Sequence, residues 1–245
     1  MYRRIILISG LLSCCFAALG EPLSFAETPQ SPAREQLLGG DFVDPSGSAL
    51  AFIATRSYTC SGVLVGTRHV LTAAHCVSNE ISPPLSEFVI VVGGREYSVS
   101  RGWYNGGFNW RLAALPANTR YDIALLELSL PVLDIAPIPV MFDLPVKPGW
   151  NGAVLGFGTN ELSLFQAFQG LGAAKAGEIV VSQVLNGIFS SHYLSSGVVI
   201  CAGDSGGPVV SVVGRQPMVI GINSSSNSFD DYGVCEIGGG SSNYV

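Results

Sequence analysis

The sequence predicts an all-β protein of the barrel or sandwich type, and three observations carry that expectation. Turn-forming residues are abundant: 30 glycines and 14 prolines among 245 residues, against roughly 12% of average usage. Short apolar runs, many rich in Val and Ile, recur between Gly, Pro, Asn and Ser clusters. No long stretch carries the 3.6-residue period of an amphipathic helix. Several strand-length runs with turn chemistry between them read as a sandwich or barrel.

In chain order the runs are Ala49–Ala54, Ser61–Val65, Phe88–Val92, Ile123–Leu128, Ala153–Phe157, Ile179–Val184, Pro208–Val213 and Met218–Ile222. The Ser/Gly-rich stretches 223–228 and 238–242 read as loops. Ile135–Pro148 holds Pro137, Pro139, Pro145 and Pro148. Proline donates nothing to a ladder, so this segment is not a central strand. It reads as a connector between two halves of similar size. There is no internal repeat and no low-complexity tract.

Composition narrows the function. Charged residues are only 12%, about half the roughly 25% of an average soluble domain. With 48% hydrophobic residues and a mean hydropathy of +0.41, the chain has the means to bury a core and is not disordered. The net charge of −6 argues against nucleic acid or an anionic membrane surface as the main partner.

The N-terminus reads as an address. Arg3 and Arg4 precede an apolar run, Ile5–Leu19, interrupted only by Ser9, Gly10 and Ser13. A membrane span needs about 20 residues and the apolar part of a signal peptide about 7–15. Cleavage after Ala26, in Ser24-Phe25-Ala26, fits the small-residue rule, with Ala18-Leu19-Gly20 as a second option. Leu11-Leu12-Ser13-Cys14 only loosely resembles a lipoprotein site. No other stretch reaches 18 apolar residues, so an exported chain with no membrane span is expected, extracellular or periplasmic. Residues 27–36, polar and Pro-containing, read as a propeptide or linker.

Cys14 and Cys15 leave with the leader, and Cys60, Cys76, Cys201 and Cys235 remain. In an oxidising compartment four cysteines suggest two disulfides, with three pairings open. A zinc site is disfavoured, because no pair has C-x-x-C spacing and His69, His75 and His192 do not cluster in sequence. No metal and no cofactor are expected.

Three strings carry chemistry: Leu71-Thr72-Ala73-Ala74-His75-Cys76, Asp122-Ile123-Ala124-Leu125-Leu126 and Gly203-Asp204-Ser205-Gly206-Gly207-Pro208. A serine hydroxyl is a weak nucleophile until an imidazole takes its proton, and the imidazole needs a carboxylate to fix its tautomer. His75, Asp122 and Ser205 supply those parts. Glycines beside Ser205 permit a tight turn whose N–H groups can face an oxyanion. Taken singly, each string has a bland reading as a turn or a surface residue; His69 and His192 are read that way. Gly203-Asp204-Ser205-Gly206-Gly207 also satisfies the G-x-S-x-G elbow of α/β-hydrolases, but those run Ser, Asp, His. Here no histidine follows Ser205. The order His, Asp, Ser is that of the chymotrypsin class.

Over about residues 37–245 the sequence resembles the trypsin-like (chymotrypsin-family) serine endopeptidases. The resemblance implies two packed six-stranded antiparallel β-barrels. Residues 37–143 would form the first, with His75 and Asp122, and 144–245 the second, with Ser205. It implies an oxyanion hole from the N–H groups of Gly203 and Ser205, and a serine, Ser224, hydrogen-bonded to the triad aspartate. It pairs Cys60 with Cys76 and Cys201 with Cys235. It places Val199 at the base of the primary pocket, with Ser224, Ser225 and Ser226 along one wall, so cleavage is expected after uncharged, small to medium apolar residues. Asp230 and Asp231 read as solvated loop carboxylates. Leu37-Leu38-Gly39-Gly40 resembles the family's mature start, whose freed amine would salt-bridge Asp204.

The sequence departs from the family pattern at several points. Gln36 stands where Arg or Lys usually precedes the mature start, with Arg34 the nearest basic residue. Phe157 replaces a tryptophan, the insert between Ser226 and Cys235 is long, and the family's C-terminal helix is expected to be missing after Val245, either from the protein or because the sequence is a fragment. The expected partners are polypeptide substrates and protein inhibitors, and the expected state is a monomer. The rival reading is a catalytically inactive homologue that binds proteins.

Overall fold

The strands predicted from the apolar runs close into two barrels together with strands that the runs do not mark. The structure is a computed structural model that describes residues 37, 39–78, 84–112, 116–143, 145–158, 174–227 and 240–245. The expected leader and propeptide, Leu38, Asp230, Asp231 and Cys235 lie outside the described residues. Everything below concerns one compact unit, Arg34–Val245.

The first barrel uses β2 (Leu50–Ala54), β3 (Thr59–Gly66), β4 (His69–Thr72), β5 (Val89–Val92), β6 (Arg95–Tyr104) and β7 (Ala124–Leu128). They close in the order β2-β3-β4-β7-β6-β5. β7 shows why the sequence folds this way. Ala124, Leu126 and Leu128 are buried, while Leu125 and Glu127 between them are only half-buried, which is the period-2 pattern of a strand with one face on a core. Ile53, Val63, Val70, Ile90 and Val92 fill the same interior.

The second barrel uses β8 (Asn151–Gly156), β9 (Ala174–Leu185), β10 (Ile188–His192), β11 (Pro208–Val213), β12 (Gln216–Ser226) and β13 (Ser241–Tyr244). The order is β9-β10-β13-β12-β11-β8, and β8 closes onto β9, with β1 (Asp41–Val43) added to β9. Its core holds Leu37, Val154, Ile179, Val181, Phe189, Ile220 and Tyr244. The all-β, two-barrel fold is as expected. Among the described residues α-helix is limited to two four-residue turns, Pro116–Thr119 and Tyr193–Ser196, and no helix is long and apolar enough to cross a membrane.

The reading of 223–228 and 238–242 as loops is corrected. β12 continues to Ser226, and Ser241 and Ser242 open β13. β13 pairs with β10 on one side and β12 on the other, so backbone bonding on both edges overrides its polar composition. Its Tyr244 is fully buried and shares a 2.8 Å hydrogen bond with Ser191 Oγ.

The barrels meet at Leu50, Phe52 and Ala54 of β2 against Phe157 and Ala174. Phe52 and Phe157 pack edge to face with ring centroids 5.4 Å apart, so the Phe157 phenyl fills the seam. The proline-rich connector bonds to both barrels. Ile138 N donates to Leu64 O and Met141 N to Val219 O, both at 2.9 Å. Its one pairing among the described residues is the isolated bridge of Val140 with Val219.

Candidate active site

The site forms where the 3-10 turn after β4 faces the turn before β11. β4 ends at Thr72, Ala73 is extended, and Ala74–Cys76 make one 3-10 turn that turns His75 out of the barrel wall. The His75 side chain keeps 25% of its exposure, while that of Asp122 keeps 5%. Asp122 enters just before β7, its N–H donating to Thr119 O at 2.9 Å.

Asp122 holds His75 at two points. Oδ1 accepts the His75 backbone N–H at 2.8 Å, and Oδ2 lies 2.7 Å from His75 Nδ1. Ser224 Oγ, from β12 of the second barrel, donates to the same Oδ2 at 2.5 Å. Burial pushes the Asp122 carboxyl up, but the His75 imidazole beside it and the hydrogen bonds from His75 and Ser224 outweigh this and hold it below the usual carboxylate value. A carboxylate on Nδ1 leaves Nε2 as the nitrogen able to exchange a proton with a hydroxyl.

The Gly203–Gly207 turn is pinned from both barrels. From the second, Asn223 Nδ2 donates to Asp204 O at 2.9 Å, and Gly206 N donates to Asn223 O at 2.8 Å. From the first, Ser61 N donates to Ser205 O at 2.7 Å and Ser61 Oγ to Gly203 O at 2.8 Å. Gly203 and Gly206 have φ of +91° and +80°, and a Cβ on Gly206 would overlap Thr72 Oγ1 and Ser61 O. Glycine alone meets both requirements. The close approach sets Ser205 against the elements that flank His75, with Ser205 O 3.8 Å from Cys76 Sγ.

Among the described residues, no hydrogen bond joins Ser205 Oγ to His75, and neither Gly203 N–H nor Ser205 N–H donates one. Such nucleophile–base bonds are often long without substrate. Two N–H groups without an internal acceptor on a fixed turn are able to receive an oxyanion.

Asp204 points away from Ser205 into the second barrel and is fully buried. Oδ1 accepts Gly158 N–H and Oδ2 accepts Cys201 N–H, each at 2.8 Å. Burial pushes its carboxyl up to about 7, against the pull of those N–H groups and the Lys175 ammonium. Leu37 is also fully buried, in the second-barrel core with Val198 and Ile200.

Val199 is buried against Cys201 and Tyr193. Ile200 N donates to Ser242 Oγ at 3.1 Å. That bond ties this segment to β13, whose Asn243 and Ser242 pair with Ser225 and Ser226. Ser225 Oγ accepts from Asn243 Nδ2 at 3.2 Å.

Cys60 and Cys76 form a disulfide beside His75. His75 and the two sulfurs lie within 4.8 Å of one another, and the disulfide accounts for that grouping. Cys201 is disulfide-bonded as well, and its expected partner Cys235 lies outside the described residues.

Sequence reasoning missed Ser61 and Asn223. Each reads locally as a strand or loop residue, and its contact with the Gly203–Gly207 turn exists only once strands distant in sequence have paired.

Two closed antiparallel barrels meeting at such a seam make the chymotrypsin-like fold. The family model described as Trypsin matches residues 39–237, and the chain belongs to that family. Kallikrein 1-related peptidase b26 of Mus musculus is 26% identical over 73% of this chain and 76% of its own length. Serine protease 1 of Rattus norvegicus is 30% identical over 72% of this chain and 75% of its own. Granzyme M of Rattus norvegicus is 26% identical over 78% and 80% respectively. The protein is a serine-type endopeptidase.

Proposed function

We propose that this is an exported endopeptidase that cleaves peptide bonds through an acyl-enzyme on Ser205, with His75 and Asp122 completing the triad. The observation that carries this is the Ser224–Asp122–His75 hydrogen-bond chain beside a serine turn with two undonated N–H groups. Ser205 Oγ attacks the scissile carbonyl while His75 Nε2 takes its proton, then returns it to the leaving amine. Gly203 and Ser205 N–H groups hold the oxyanion, and water, deprotonated by His75, releases the acyl group. Asp122 stays ionised and stabilises the imidazolium, as its lowered value favours.

Export rests on the Arg3–Arg4 and Ile5–Leu19 pattern with a small-residue cleavage site. The partners are polypeptide substrates and protein inhibitors, met by a monomer. Activation is cleavage between Gln36 and Leu37. The freed ammonium pairs with Asp204, which is fully buried with a backbone N–H on each carboxylate oxygen. Leu37 already lies buried in the same barrel.

Val199 gives the primary pocket an apolar floor, with Ser224, Ser225 and Ser226 along the wall. A cationic side chain there would lose its hydration without gaining a counter-ion. A peptide-library profile should therefore show cleavage after uncharged, small to medium apolar residues. Dominance of Arg or Lys would overturn the pocket assignment and direct attention to Asp230 and Asp231. Failure to cleave any peptide would contradict the endopeptidase reading and favour an inactive binding module.

A further inference from the structure

Ser61 belongs to neither the triad nor the pocket, yet it joins the first barrel to the nucleophile turn. It lies in β3 and is fully buried. Its N–H donates to Ser205 O at 2.7 Å. Its hydroxyl donates to Gly203 O at 2.8 Å and accepts Phe157 N–H at 2.9 Å. Its carbonyl accepts Thr72 Oγ1 at 2.8 Å, so the residue is itself held from β4.

We propose that Ser61 is a positioning residue for the oxyanion hole, its N–H and hydroxyl drawing the carbonyls of Ser205 and Gly203 toward the first barrel. The N–H groups of those same two residues donate to no acceptor among the described residues and stay open to the substrate. The proposal rests on the triad reading of Ser205. Gly203, at φ +91°, has no side chain to resist rotation about its own backbone. A restraint must come from outside, and the Ser61 hydroxyl is the side-chain group that bonds its carbonyl among the described residues. A serine hydroxyl offers one donated proton and accepting lone pairs, and both capacities are used here. Alanine would leave Gly203 O unheld and the Phe157 N–H buried without an acceptor.

The test compares Ser61→Ala and Ser61→Thr with the parent enzyme, per folded active site. It measures kcat and KM on a peptide substrate, and inhibition by a peptidyl trifluoromethyl ketone. That ketone adds to a serine hydroxyl and places a hemiketal oxyanion in the hole. Ser61→Ala should lower kcat roughly 10- to 100-fold, leave KM within about twofold, and weaken the ketone by the same factor as kcat. Ser61→Thr, which keeps the hydroxyl, should stay within about threefold of the parent. If Ser61→Ala does not fold, Ser61→Gly takes its place, removing the hydroxyl without setting a methyl against two polar groups. A folded variant lacking the hydroxyl with kcat within about twofold of the parent overturns the proposal. So does a fall in kcat with no change in ketone affinity, which would mark a merely structural loss. A parent enzyme indifferent to the ketone would instead strike the triad assignment beneath it.

Discussion

Ser205→Ala and His75→Ala should each remove nearly all turnover, by roughly 10⁴-fold or more, and the double variant should be little slower than either. The reason is that the two act as one unit. Without the imidazole the hydroxyl keeps its proton, and without the hydroxyl the imidazole has nothing to activate. Residual acceleration on the order of 10³–10⁴ over water should survive, because the oxyanion N–H groups and substrate binding remain. Steady-state and single-turnover kinetics on the three variants decide this. Either single variant keeping a tenth of parental activity, or losses that multiply in the double variant, would contradict the assignment.

Asp204→Asn should lower kcat about a hundredfold or more, on the scale of losing an oxyanion donor, although the chain keeps both His75 and Ser205. Each carboxylate oxygen of Asp204 accepts one backbone N–H, from Gly158 and from Cys201. An amide has one acceptor oxygen and sets a donor against the other N–H, so the turn carrying Gly203 and Ser205 must shift. The same carboxyl gives activation a pH signature. Its folded value of about 7 stands above the ordinary 3.8. In the uncleaved chain its contribution to stability is therefore full below about pH 3.8 and lost as pH rises through about 7. Freeing the Leu37 amine supplies a cation for the ionised form. The gain in melting temperature on cleavage at Leu37 should then widen as pH rises from about 4 to about 7 and hold until the amine itself deprotonates. Thermal unfolding of both forms across that range checks it. A gain that is flat or shrinks with rising pH would contradict the pairing.

Much of this was legible in the sequence, for identifiable reasons. Leu50–Ala54 is buried at every position and Ala124–Leu128 at every second one, and either kind of burial writes an apolar pattern into the residues themselves. The chemistry-bearing strings carried the triad expectation without any knowledge of contacts. What stayed hidden has no local signal. β13 reads Ser-Ser-Asn-Tyr and becomes a strand only because β10 and β12 offer it an edge on each side. β6, from Arg95 to Tyr104, is largely exposed and polar, and it is held by its register with β5 and β7. Ser61 looks like any small residue of an apolar strand; its bonds to Gly203 and Ser205 span the boundary between barrels. Asp204 was visible as a neighbour of Ser205, but not the burial that raises its carboxyl.

The central claim is that Ser205 is an activated nucleophile. Mass spectrometry after exposure to an organophosphonate probe tests it most directly, because phosphonylation requires a hydroxyl whose proton a neighbouring base removes. The predicted result is one probe per folded molecule, on the peptide containing Ser205, and no adduct in the His75→Ala variant. No adduct on the mature chain, or labelling that survives the loss of His75, would contradict the account.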